Sequence, residues 1–111
     1  MYKVMFHLNE EGRAEDTLRN IDNLLKDVEG DVEVLLLVHS KGVYPFGKNK
    51  NANKSKVEKL MAKGVKIRVC HNTLESLNLE VDDFIDGIEV VSSVVGELVR
   101  RQKDGWLYIK P

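Results

Sequence analysis

The chain has 111 residues, 42% hydrophobic and 32% charged, with 17 basic against 18 acidic side chains and a formal net charge of −1. These proportions exclude disordered and fibrous classes, and the near-neutral charge gives no field to recruit nucleic acid or an anionic membrane. The length predicts a single domain, 1–111, able to form one core and small enough to gain from association.

The first element is a strand over Tyr2–Leu8, closed by Asn9, Glu10, Glu11 and Gly12. Ala14, Leu18, Ile21, Leu25 and Val28 then recur at helical spacing, and Gly30 ends that helix. Val32–Val38 is almost continuously apolar, as strands buried on both faces of a parallel sheet are. A polar loop is expected over His39–Asn53, punctuated by Gly42, Pro45 and Gly47. Within the Lys/Asn-rich stretch 47–56, the lysines have no aromatic interleaving, which reads as a solvated loop rather than a nucleic-acid surface.

Ser55-Lys56-Val57-Glu58 fits a capping box opening a helix with Val57, Leu60 and Met61 inward, and Gly64 ends it. Val65–Val69 is the third strand, and Asn72, three residues before Glu75, is the expected cap of the next helix. Asp82–Asp86 predicts a short helical turn before Gly87. Ile88–Val91 is the fourth strand, Ser92 or Ser93 caps a helix carrying Val95, Leu98 and Val99, and Trp106–Ile109 is a terminal strand after Gly105. Five strands separated by helical segments predict a three-layer α/β/α sandwich with a mostly parallel five-stranded sheet.

In parallel sheets, ligands bind beyond the carboxyl ends of the strands. That edge is expected to hold His7, His39, Cys70, His71, Ser92 and Ser93, so every histidine and the one cysteine share it. A thiol between a strand end and a helix start is placed for chemistry, because helix-start amides favour the nucleophilic thiolate. The plain alternatives are a core-filling thiol at Cys70, a satisfied core histidine at His7 and helix caps at Ser92 and Ser93. His71 directly follows Cys70, so the two side chains diverge if extended geometry persists.

No metal or other cofactor is expected, since neither a CxxC nor an HxxxH spacing occurs. Ser40 and Ser93 lack the glycine frame of a nucleophile elbow. Gly42-Val43-Tyr44-Pro45-Phe46-Gly47-Lys48 has the spacing of a phosphate-binding loop, but Asn49 stands where a magnesium-holding hydroxyl belongs. One cysteine excludes an internal disulfide framework and suits a reducing cytoplasm. The longest apolar run, Val34–Val38, is too short to cross a bilayer, and Met1–Phe6 enters a strand pattern without signal-sequence character. A cytoplasmic location without membrane association is therefore expected.

The whole chain resembles the DsrE/DsrF-like family of small α/β proteins, in its compact single-domain branch with the YchN-like fold. The resemblance is carried by Val4-Met5-Phe6-His7-Leu8-Asn9, by Val69-Cys70-His71-Asn72-Thr73-Leu74, and most specifically by Val90–Gln102 with Gly105-Trp106-Leu107-Tyr108-Ile109-Lys110-Pro111. It implies a five-stranded parallel sheet between helices and assembly into trimers or hexamers. In the family's sulfur-relay branch, a cysteine after the third strand carries sulfur as a persulfide, and Cys70 occupies the matching place. Here the polar His71, Asn72 and Thr73 follow it, where that branch has small apolar residues.

Two functions follow as expectations. In one, Cys70 is the persulfide site of a sulfur carrier or sulfurtransferase, with donor and acceptor proteins as partners and His7, His39, His71, Asn72, Thr73, Ser92 and Ser93 around it. In the other, the chain is a non-catalytic oligomeric module binding a small ligand or a protein at the strand-end pocket. Apolar Val94, Val95, Trp106 and Leu107 on short elements favour homo-oligomerisation in either case.

Overall fold

The computed structural model describes the backbone of residues 1–111 and every side chain except that of Asn51. Its strands are β1 (Tyr2–Leu8), β2 (Val32–Val38), β3 (Lys66–Cys70), β4 (Glu89–Val91) and β5 (Leu107–Ile109), joined through α1 (Ala14–Asp27), α2 (Asn51–Ala62), α3 (His71–Leu77) and α4 (Val94–Lys103). They form one sheet in the order β4-β3-β2-β1-β5, every neighbouring pair parallel. The chain steps outward from β1 to β4, and α4 then carries it back to lay β5 on the other side of β1.

Strand periodicity divides the core. On β1, Val4, Phe6 and Leu8 face Leu18 and Ile21 of α1, Val57 and Leu60 of α2, and Leu74 of α3. Met5 points the other way, into a smaller cluster with Leu35, Leu37, Cys70, Val94, Leu98 and Trp106. The first three helices thus cover one face and α4 the other, giving the expected three-layer α/β/α arrangement. Among the described residues, no helix is long and apolar enough to cross a membrane.

Four local expectations need correction. The segment after β2 is not an open loop to Asn53: Ser40–Phe46 coils into 3-10 turns and α2 starts at Asn51. Val43 and Phe46 are fully buried, so this segment folds onto the core instead of reaching into solvent. The Ser55–Glu58 box consequently falls inside α2. Its first turn is held by Asn53 Nδ2 donating to the Pro45 carbonyl at 3.2 Å, and the segment leading into it by Lys48 N donating to the Asp83 carbonyl at 2.9 Å. Asn72 is not a cap either, because α3 begins at His71 with Cys70 as the preceding extended residue. The turn expected near Asp82–Asp86 is a 3-10 turn over Val81–Asp83.

Gly42 fixes how tightly the segment after β2 sits on β1. A Cβ there would lie 2.9 Å from the Leu8 carbonyl oxygen and 3.1 Å from Asn9 Cα. The His39 amide meanwhile donates to the same Leu8 carbonyl at 3.1 Å. The ends of β1 and β2 are thereby drawn together, with His7 and His39 upon them.

Candidate functional site

Parallel strands bring His7, His39 and Cys70 to one edge of the sheet, at the ends of β1, β2 and β3. Cys70 is the last residue of β3, with extended φ and ψ of −82° and 125°, and its side chain lies in the α4-facing cluster, 6% exposed. Burial pushes its thiol pKa up. The amides of Val94, Thr73 and Asn72, together with the Thr73 hydroxyl, pull it down and prevail, so the thiol lies below its ordinary value. Val94 opens α4, and Asn72 and Thr73 sit in the first turn of α3. The unpaired amides of two helix starts therefore face one sulfur. No side-chain hydrogen bond caps α3, which leaves its amides free for a thiolate.

Thr73 links this sulfur to β2. Its Oγ1 accepts a hydrogen bond from the Ser40 amide at 2.9 Å, leaving its own hydrogen to point elsewhere. Ser40 has a φ of 54°, a left-handed conformation that costs a non-glycine residue on the order of 1 kcal/mol. The strained turn directs the Ser40 amide at Thr73.

A second run of contacts starts at Ser40. Its Oγ lies 3.0 Å from His39 Nδ1, His39 Nε2 lies 2.7 Å from His7 Nε2, and His7 Nδ1 lies 2.6 Å from the Tyr108 hydroxyl. The imidazoles meet edge to edge, with centroids 4.9 Å apart and planes 20° apart. Two facing Nε2 atoms at hydrogen-bond distance hold one proton between them. The electrostatics agree: burial, then His39, then Lys110 hold His7 down at about 4, and burial followed by Lys110 lowers His39. Both rings are neutral at neutral pH. Lys110 is itself held at this edge, its Nζ donating to Asn9 Oδ1 at 2.8 Å.

The remaining expected residues fall into other roles. His71 lies outside this run of contacts, with Nε2 2.7 Å from Glu75 Oε1 on the exposed side of α3. Ser93 caps α4, its Oγ accepting from the Gly96 amide at 3.1 Å, and Ser92 is exposed beside it. Asn72 and Thr73 line a shallow groove of about 340 Å³ with Ser40, Lys41, Ser76 and Leu77. Among the described residues, no group of three or more histidine, cysteine or acidic side chains is arranged to hold a metal. Sequence reasoning missed Tyr108 and Ser40 as members of this edge. The alternation of β5 was readable, but Tyr108 reaches His7 only because β5 pairs with β1, opposite Met5.

Comparison with known proteins agrees with this architecture. No curated protein matches the chain. A protein of unknown function from Methanobacterium thermoautotrophicum, MTH1491, is 36% identical over the whole of both chains, with a TM-score of 0.93. The ychN protein from E. coli is 20% identical over the whole of both chains with a TM-score of 0.80, which speaks for the fold alone. The DsrE/DsrF-like family model matches residues 3–111, and the chain belongs to that family.

Proposed function

We propose that this protein is a sulfur carrier in which Cys70 accepts sulfane sulfur as a persulfide and passes it to a partner thiol. The observation that carries the reading is the convergence of the Val94, Thr73 and Asn72 amides and the Thr73 hydroxyl on the Cys70 sulfur, which lowers its pKa against the effect of burial. A thiolate so held is the nucleophile that sulfur transfer needs. It attacks the outer sulfur of a donor persulfide R–S–SH, the donor S–S bond breaks, and its electron pair leaves on R–S⁻. An acceptor thiolate then attacks the outer sulfur of the Cys70 persulfide and restores the Cys70 thiolate. Donor and acceptor are proteins of the same reducing cytoplasm, and 1–111 acts as one domain.

Labelled sulfane sulfur from a small alkyl persulfide is expected on Cys70, and to leave it when an acceptor thiol is added. A Cys70→Ser protein that takes up the same label would end the reading.

Association into homo-trimers or hexamers belongs to the same proposal. Val95 and Val99 on α4, and Val90, Leu107 and Ile109 on the edge strands β4 and β5, remain exposed. Small-angle scattering at micromolar concentration should report a particle several times the mass of one chain, and a monomer would contradict it.

The 6% exposure of Cys70 favours a second reading, a non-catalytic oligomeric module that binds a small ligand or a protein partner at this edge. That reading requires slow alkylation of Cys70, and rapid stoichiometric alkylation at pH 6 excludes it.

A further inference from the structure

The run from Tyr108 through His7 and His39 to Ser40 has no part in the sulfur step described so far. We propose that it is a proton relay: His39, refilled by His7 and Tyr108, supplies through Ser40 the proton taken by the donor's leaving thiolate. The proposal rests on the reading of Cys70 as a sulfur acceptor and assigns the acid for that reaction.

The geometry permits two complete hydrogen-bond wirings. In one, the Tyr108 hydroxyl donates to His7 Nδ1, His7 Nε2–H donates to His39 Nε2, and His39 Nδ1–H donates to Ser40 Oγ. In the other, the Ser40 hydroxyl donates to His39 Nδ1, His39 Nε2–H donates to His7 Nε2, and His7 Nδ1–H donates to the Tyr108 oxygen. The contacts of 3.0, 2.7 and 2.6 Å serve both. Converting the first wiring into the second moves a proton one place along every contact. One proton leaves from the Ser40 hydroxyl and one is drawn in at Tyr108.

Both ends of the run are placed for this. Tyr108 is 41% exposed, so water refills it. Ser40 lines the groove shared with Lys41, Asn72 and Thr73, and Thr73 faces the Cys70 sulfur. Two neutral imidazoles, each with one proton and one lone pair, are what a relay requires, and burial keeps both neutral. His71 is turned to Glu75 instead. Lys41 is the cation that lines the groove and the competing acid.

The step balances. The Cys70 thiolate bonds to the outer sulfur of R–S–SH, the donor S–S bond breaks, and R–S⁻ takes the Ser40 hydroxyl proton to become R–SH. His39 reprotonates Ser40, His7 reprotonates His39, Tyr108 reprotonates His7, and water supplies Tyr108. The sum is Cys70–S⁻ plus R–S–SH plus a solvent proton, giving Cys70–S–SH and R–SH.

The test varies the leaving group. A thiolate leaving from an alkyl persulfide is basic and needs an acid; an aromatic thiolate leaving from an aromatic disulfide, or iodide leaving from iodoacetamide, does not. His39→Asn should slow sulfur uptake from the alkyl persulfide about 100-fold, the lower end of general acid catalysis. Its rates with the aromatic disulfide and iodoacetamide should match the wild type. Tyr108→Phe should give a smaller loss on the alkyl persulfide alone, and Lys41→Met none. Three results would overturn the relay: an unchanged alkyl rate in His39→Asn, an equal fall with all three reagents, or loss in Lys41→Met instead. Should the wild type take no sulfur from the persulfide, the carrier reading fails separately. Exchange of Cys70 with alkyl against aromatic disulfides then tests the relay, and equal sensitivity to His39→Asn overturns it.

Discussion

Replacing Thr73 with valine removes one oxygen and little volume, and that oxygen has two partners. It accepts from the Ser40 amide at 2.9 Å, and its hydroxyl favours the Cys70 thiolate. A hydrogen bond to a charged group contributes about 1.5–3 kcal/mol. The lower end applies here, because three amides still face the sulfur. At about 1.4 kcal/mol per pKa unit, Thr73→Val should raise the Cys70 pKa by about one unit. Ser40 is exposed, so water replaces Thr73 on its amide and the stability cost stays within about 1 kcal/mol. The kinetic signature is a crossing. Below both pKa values the variant has about one tenth of the thiolate, but a thiolate more basic by one unit is about threefold more nucleophilic. Alkylation by iodoacetamide should therefore be about threefold slower at low pH and about threefold faster on the alkaline plateau. A titration midpoint that stays put, or a uniform loss at all pH values, would refute the role given to Thr73.

Three further outcomes can be measured by urea unfolding. Gly42→Ala forces a Cβ to within 2.9 Å of the Leu8 carbonyl, which cannot swing aside, and should cost about 1–3 kcal/mol. No measurable loss would show that the end of β1 yields. The folded pKa of His7, about 4, lies below its ordinary 6.5, so between these values the unfolded chain binds more protons. This contribution is complete above pH 6.5 and is lost as pH falls to 4. It should amount to about 1 kcal/mol once solvent screening of a partly exposed ring is allowed for, and His7→Gln should flatten it. The same pH dependence in the wild type and in His7→Gln would contradict the assignment. Ser93→Ala removes the oxygen that accepts from Gly96 at 3.1 Å and should cost about 1 kcal/mol, with an unchanged midpoint counting against the cap.

The fold was largely legible because its signals are local. The near-continuous apolar run of β2, the four- and three-residue spacing along α1 and the Ser93 cap each act over a few residues. The segment after β2 was misread because polar Lys and Asn residues dominate it, while the buried Val43 and Phe46 decide where it goes. Tertiary contacts from Pro45 and Asp83 then let α2 start before the local capping signal. Cys70, His7, His39, Asn72 and Thr73 were readable as one edge, since a parallel sheet collects its strand ends there. What no local signal carries is strand order. Tyr108 reaches His7 because β5 returns beside β1, and 101 residues separate the two. The left-handed turn at Ser40 was equally hidden, because serine carries none of glycine's preference for positive φ.

The central claim is that Cys70 is a thiolate that takes up sulfane sulfur. The intact mass of the protein after exposure to an alkyl persulfide tests it most directly, with alkylation at pH 6 as its companion for thiol reactivity. The account predicts a gain of one sulfur atom, located at Cys70, removed by reductant and absent from Cys70→Ser. An unchanged mass in a wild-type protein whose Cys70 alkylates freely would contradict it.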